Sequence, residues 1–284
     1  MAEVHHFSYG LLTPVAAYCM SVIGSLLGLM CTSRARASTG RSRGSWLALG
    51  ALSIGGTGVW VMHFIAMLGF SVAHTEIRYD VPLTLLSCAI AVVVVAGGLF
   101  VVGFGGTRAP MVAASGLITG AGVASMHYTG MAAMNMPAHI DYRPGLVAVS
   151  VLIAVVAATV ALWFSIRVTT MWAMAGAAAI MGVAVSGMHY TGMAAMRVRM
   201  HHGMPAPGGA TAGDFLLPLV CGIGVVAVVL LLIIAMAPTE HEMRTDAALQ
   251  ERLGSRRQDP PPAPAAPAEQ PSRAAGRWFG GSGQ

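Results

Sequence analysis

The chain has 284 residues, of which 56% are hydrophobic and only 10% charged, with a mean hydropathy of +0.70. Soluble domains carry about 25% charged residues, so this balance excludes an ordinary globular enzyme. All sixteen basic residues are arginine against eleven acids, a formal charge of +5 that sits in short connections. Its placement excludes nucleic-acid binding as the meaning of the basic pI.

Seven long stretches, 4–33, 44–75, 81–107, 109–140, 144–166, 168–196 and 215–239, contain no charged residue. Each exceeds the roughly 18 apolar residues of a membrane-spanning helix. The expected fold is therefore all-α: seven transmembrane helices near 11–31, 46–69, 82–104, 111–134, 145–166, 171–196 and 215–236. Residues 1–10 form a short N-terminus with no cleavable signal. Residues 11–236 form the membrane domain. Residues 237–258 are a charged extension, and 259–284, opening Asp-Pro-Pro-Pro-Ala-Pro, are too rich in Pro, Ala and Gly to fold. Several spans begin or end at proline (Pro82, Pro110, Pro144, Pro238), and Gly24/Gly28 and Gly116/Gly120 place small residues where helix backbones approach closely. Cys19, Cys31, Cys88 and Cys221 are scattered without a C-x-x-C pair and read as packing residues.

The connections fall into two sets. One holds Arg34, Arg36, Arg41, Arg43, Arg108 and Arg167 with no acid, and Arg244 joins it; the other holds Arg78, Arg143, Arg197 and Arg199 beside Glu76, Asp80, Asp141 and Asp214. The positive-inside rule counts basic residues. It places the N-terminus outside and the C-terminus in the cytoplasm of a multi-pass protein of the bacterial inner (plasma) membrane.

An internal repeat carries the chemistry. Residues 126–134 read Met-His-Tyr-Thr-Gly-Met-Ala-Ala-Met, 188–196 are identical, and 62–68 are a weaker copy, Met-His-Phe-Ile-Ala-Met-Leu. Each copy lies in an even-numbered span, so the unit is a helix pair repeated three times plus a seventh helix. His63, His127 and His189 come some 16–18 residues after their spans begin, roughly 25 Å along a helix. All three imidazoles are expected at one depth, near the outer edge of the membrane. Met67, Met131 and Met193 lie at i+4 on the same helix face, and Met134 and Met196 at i+7 extend the stripe, with Phe70 in that place on the second helix. Met62, Met126 and Met188 point about 100° away and are weaker candidates for the same cluster.

An ionisable group in a lipid-embedded helix is costly unless it faces the bundle interior with a partner. No span contains a carboxylate, so a proton relay lacks its acids. Imidazole with soft thioether sulfur suits copper, Cu(I) above all, whereas zinc more often recruits Cys, Asp or Glu. Taken singly, a membrane histidine is usually a packing residue and a methionine a gap-filler; recurrence at one depth in three parallel helices separates this cluster from that pattern. Tyr128, Tyr190, Thr129 and Thr191 are expected to make interhelical hydrogen bonds or to orient the imidazoles. His5, His6, His74, His139, His201 and His202 fall on the outer side as solvated residues that collect metal at most, and His241 falls inside.

On these residues the sequence resembles the MHYT family of bacterial integral membrane sensor domains, over about residues 8–236. The resemblance implies copper held near the outer face and, through it, detection of a diatomic gas (O2, CO or NO). By position, that role falls on Met62 and His63, on Met126, His127, Tyr128 and Thr129, and on Met188, His189, Tyr190 and Thr191. The first copy departs from the motif, with Phe64 and Ile65 in place of Tyr and Thr. The short tail leaves no room for the catalytic domains found in many family members, so a stand-alone, non-enzymatic sensor is expected, acting with the bilayer and a separate cytoplasmic signalling protein. Two other functions use the same residues: a copper transporter or carrier, and a haem-binding membrane protein. The first needs soft groups continuing across the membrane, where the even helices offer mainly Gly, Ala, Ser, Val and Ile, with Met111, Met171, Met174 and Met181 keeping that reading open.

Overall fold

A computed structural model describes residues 4–5, 7–73, 75–200, 207–236 and 248–250. Seven helices in it are long and apolar enough to cross a membrane: α1 Leu12–Ala37, α2 Gly40–Leu68, α3 Val81–Gly105, α4 Ala109–Ala132, α5 Pro144–Arg167, α6 Met171–Ala195 and α7 Ala212–Met236. The chain is thus an all-α, multi-pass membrane protein. Most of the C-terminal extension and the whole tail, with His6, His74, His201, His202 and His241, lie outside the described residues.

The six helices α1–α6 pack in chain order and close into a ring where α6 meets α1, while α7 lies against α1 and α2. Covered by α7 as well as by its ring neighbours, α2 is the most buried of the seven. Small residues set the spacing. A β-carbon on Gly24 would lie 2.6 Å from Gly58 Cα, and one on Gly120 would lie 2.8 Å from Ala154 O, so α1–α2 and α4–α5 touch backbone to backbone. The middle of α2, Leu52–Val61, winds as a π-helix through Gly55, Gly56 and Gly58. The wider turn brings α2 against α3 and feeds the segment Met62–Leu68. There Trp60 Nε1 donates to Ser87 Oγ at 2.9 Å, and Ser87 donates in turn to Thr84 O at 2.7 Å.

Two expectations need correction. Residues 34–43 are not a loop: α1 runs to Ala37, α2 starts at Gly40, and only Ser38 and Thr39 separate them. The arginines are therefore helical and reach sideways to the ends of other helices. Arg34 donates to Ile234 O at 2.7 Å, Arg36 to Ser165 O and Val168 O, and Arg43 to Gly103 O. These carbonyls lie in or just beyond the last turns of α7, α5 and α3, where orphan acceptors and the helix dipole both favour a cation.

The second correction concerns the opposite end. The methionine stripe does not continue helically to i+7, because α4 and α6 stop first and Met134 and Met196 open strands. Among the described residues seven short strands lie there: β1 Val4–His5, β2 Ser71–Val72, β3 Arg78–Tyr79, β4 Met134–Asn135, β5 Ala138–Tyr142, β6 Met196–Met200 and β7 Ala210–Thr211. All pairings are antiparallel: β1 with β2, β4 and β7 on either side of β3, and β5 with β6 from Ala138↔Met200 to Tyr142↔Met196. These pairs satisfy backbone groups that would otherwise be buried unpaired over the ends of the even helices. The repeat shows in the anchors as well. Asp80 N donates to Ala133 O at 2.8 Å, and its counterpart Arg143 N donates to Ala195 O at 2.9 Å. Asp80 also caps α3 through Leu83 N.

Candidate metal centre

Helices α2, α4 and α6 bring His63, His127 and His189 together at the capped end of the ring. Their ring centroids are 4.8, 4.9 and 5.1 Å apart, and each residue is at most 1% exposed. The rings stand nearly perpendicular to one another, at 76–88°. Their inner nitrogens converge: His63 Nδ1 lies 2.9 Å from His189 Nδ1 and 3.1 Å from His127 Nδ1. Among the described residues this is the one group of three or more His, Cys, Asp or Glu side chains that presents ligand atoms to a common point, all within 4.8 Å of one another.

The neighbours of each imidazole repeat with the sequence. Every histidine packs edge-on against the aromatic residue that follows it, with centroids 4.8 Å apart for His63–Phe64 and 5.0 Å for His127–Tyr128 and His189–Tyr190. Those aromatics are braced from outside the helices by Tyr79, Tyr142 and Phe7 respectively. Phe64 thus fills the tyrosine's place in the degenerate copy without its hydroxyl. Burial pushes the Tyr79 phenol above its usual range and does the same to Tyr142, where nearby Tyr128 adds to it.

The hydroxyls divide. Because Ser150 Oγ donates its proton to Val147 O, Tyr128 is the donor in its 2.7 Å contact with Ser150, a bond from α4 to α5. Thr191 bonds within its own helix, to Gly187 O at 2.7 Å. The Tyr190 hydroxyl is buried with no hydrogen-bond partner among the described residues. Met67, Met131 and Met193 are buried in the main core, as are Met126 and Met188; Met62 packs separately, with Ala17 and Ala66. His139 lies far more exposed, 3.3 Å from Asp141, and His5 is exposed on β1.

One feature escapes a reading of ligand types. A β-carbon on Gly130 would overlap His63 Nε2, and one on Gly192 would overlap His127 Nε2. Each motif glycine is the cradle for an imidazole arriving from another even helix. The signal was available, since both verbatim copies carry glycine three residues after histidine, where the first copy has Ala66.

Three observations test whether a metal fits. A metal–nitrogen bond of about 2.0–2.1 Å puts adjacent ligand nitrogens about 2.9–3.6 Å apart, and the two Nδ1 separations fall in that range. Without an ion, each Nδ1 pair needs one proton between two lone pairs, so either a single His63 Nδ1–H is shared by both contacts or a single His63 lone pair accepts from both partners; a cation accepts all three lone pairs at once. Finally, with Nδ1 as the ligand each Nε2 carries the proton, and His63 Nε2 and His127 Nε2 have no hydrogen-bond partner among the described residues, so packing against Gly130 and Gly192, rather than a second hydrogen bond, orients these rings. The three converging nitrogens suit a metal that takes imidazole ligands.

A seven-helix membrane protein with a buried triad of histidines, contributed by three copies of one helix pair, is the class that fold and site define. The chain belongs to the MHYT family: the family described as "bacterial signalling protein N terminal repeat" matches residues 56–115, 120–178 and 182–245, each match beginning seven residues before its histidine. The chain is 36% identical over 243 residues to the bifunctional diguanylate cyclase/cyclic di-GMP phosphodiesterase MucR of Pseudomonas aeruginosa, covering 84% of this chain and 35% of that one. It is 38% identical over 189 residues to the cyclic di-GMP phosphodiesterase NbdA of the same organism, covering 63% and 23%. The signaling protein YkoW of Bacillus subtilis is 32% identical over 205 residues, covering 67% and 24%. The chain thus spans about a third or less of the length of these relatives. No solved structure matches it.

Proposed function

We propose that the chain is a non-enzymatic membrane sensor that holds copper at His63, His127 and His189. The observation that carries this reading is the convergence of three buried Nδ1 atoms from three repeats onto one point. The thioethers of Met67, Met131 and Met193, one turn from their histidines, complete the donor set; Met126 and Met188 are weaker candidates, as is Met62, which packs apart with Ala17 and Ala66. Tyr128, Tyr190, Thr129 and Thr191 act on the imidazoles' surroundings. Bound copper supplies an electron-rich centre able to take a diatomic ligand, O2, CO or NO. The triad faces the outside of the inner membrane and the arginine-rich end faces the cytoplasm, as the positive-inside rule requires. Signalling names among the relatives support an output on the cytoplasmic side, through α7 and a cytoplasmic partner or domain.

Two competing readings fit the site less well. A copper carrier needs ligands continuing through the membrane, yet the residues one turn inward of the histidines are Val59, Val123 and Val185. A haem carrier needs a slot for a macrocycle, and imidazoles 4.8–5.1 Å apart leave none between them.

The test is to purify the protein from copper-supplemented cells and measure its transition metals, then repeat with His63→Ala, His127→Ala and His189→Ala. Stoichiometric copper in the wild type, lost in each variant, is the expected result. Folded wild-type protein without stoichiometric copper ends the proposal.

A further inference from the structure

Directly inward from the triad lies a cavity of about 50 Å³. Val59, Val123 and Val185 line it, each four residues and so one helical turn before a histidine, and Met188 joins them. The remaining wall is aliphatic apart from Ser25 and Thr119, and Thr119 Oγ1 already donates to Val94 O. One water needs about 10–15 Å³ of such space together with polar partners, and apolar cavities stay dry while admitting xenon or other apolar guests. A chamber of this size and lining suits an uncharged apolar molecule of two heavy atoms.

Access is asymmetric. Strand pairs cover the triad's far side, and the histidines are essentially unexposed. On the lipid-facing flank, however, a groove of about 380 Å³ runs between α5 and α6. Leu152 at 62%, Val156 at 54% and Ile180 at 55% exposure mark it as open to the hydrocarbon. Ala157 and Met181 line both the groove and the cavity, so these two side chains are the partition. Alanine leaves a gap beside an unbranched thioether with three rotatable bonds.

We propose that the cavity is a binding chamber for a small apolar molecule of diatomic size, entered from the bilayer between α5 and α6 past Ala157 and Met181. This deepens the sensor reading and rests on it in one respect only, that the guest goes on to the metal; occupancy of the chamber does not need copper.

Xenon is the probe. Metal-free protein in lipid nanodiscs is examined by xenon-129 magnetic resonance, which reads occupancy and exchange rate. The wild type is expected to show one saturable site. Ala158→Leu, which fills the chamber, removes it, and Ala157→Phe slows exchange at least tenfold while keeping the site. Ala157→Ile repeats the block with a smaller side chain, should the phenylalanine prevent folding. In copper-loaded protein, CO recombination after flash photolysis slows in the same Ala157 variants. No xenon site in folded wild type, or wild-type exchange in a folded Ala157 variant, overturns the chamber. A xenon site in protein that takes no copper upholds the chamber and fells the metal reading; copper without a xenon site does the reverse.

Discussion

Gly192 on α6 backs onto the imidazole of His127 on α4 so closely that a single added methyl would lie only 2.2 Å from Nε2, and Gly130 stands in the same relation to His63 at 2.4 Å. Overpacking a filled core costs about 1–3 kcal/mol, and here the displaced group is a ligand candidate. Gly130→Ala and Gly192→Ala are therefore expected to lower thermal stability and to cut bound copper well below stoichiometry. Ala66, at the equivalent place in the first copy, already carries a methyl, so Ala66→Gly retains copper. Melting temperature with metal analysis checks all three; wild-type copper in Gly192→Ala defeats the cradle argument.

The verbatim copies also separate two identical tyrosines. Tyr128 donates to Ser150 across two helices, whereas the Tyr190 hydroxyl has no partner among the described residues. Tyr128→Phe is expected to cost about 0.5–1.5 kcal/mol, the net worth of an ordinary hydrogen bond. Tyr190→Phe is neutral, since it removes a buried oxygen that makes no bond. Equal losses from both, measured by thermal unfolding in detergent, contradict this division.

That pair also shows how far the sequence reaches. The meeting of His63, His127 and His189 was legible because it follows from spacing: three even helices, parallel by topology, with one residue at one depth. The starts of α1, α3 and α5 were legible from charge, as the small differences at Leu12, Val81 and Pro144 show, whereas the end of α1 and the start of α2 were each missed by six residues because the arginines there are helical. Pairings between segments distant in the chain were not. Nothing local to residues 134–142 announces that β5 pairs with β6 or that β3 takes partners on both edges. Arginines counted as loop charges proved to be helix-end ligands because their targets, Ser165 O, Val168 O and Ile234 O, lie more than a hundred residues away. The π-helical stretch in α2 was hidden too, since three glycines among apolar residues are compatible with an ordinary helix.

Arg36 holds the carbonyls of Ser165 and Val168 at the end of α5. Hydrogen bonds to charged groups are worth about 1.5–3 kcal/mol, and a point cation satisfies two acceptors less well than a planar fork. Arg36→Ala is expected to lower the melting temperature by several degrees, with Arg36→Lys recovering part of it. Copper content stays unchanged in both, because the triad sits at the other end of the ring. An alanine variant as stable as wild type would show that the clamp does not hold α5.

Metal that binds the folded state alone stabilises it by mass action, about 2.7 kcal/mol at a hundredfold excess over Kd. Copper is therefore expected to raise the melting temperature of wild-type protein and a chelator to reverse the rise. His63, whose Nδ1 contacts both other histidines, is the ligand whose loss matters most: His63→Ala abolishes the copper-dependent shift. A full shift in that variant would place the metal elsewhere.

Tyr79 gives the strand cap a pH limit. It is buried at 3% exposure on β3, between β4 and β7, and burial holds its phenol above the ordinary value of 10. A folded-state pKa raised above the unfolded one means that the folded protein keeps a proton the unfolded chain releases. Stability from this group is therefore complete below pH 10 and falls as pH rises beyond it, by at most about 1.4 kcal/mol per pH unit. Tyr142, more exposed, adds a smaller effect of the same sign. Alkaline titration is expected to show delayed tyrosinate absorbance together with loss of amide protection in β3, β4 and β7, and Tyr79→Phe shifts that loss to higher pH. A cap that opens at the same pH in wild type and Tyr79→Phe would assign the alkaline limit to another group.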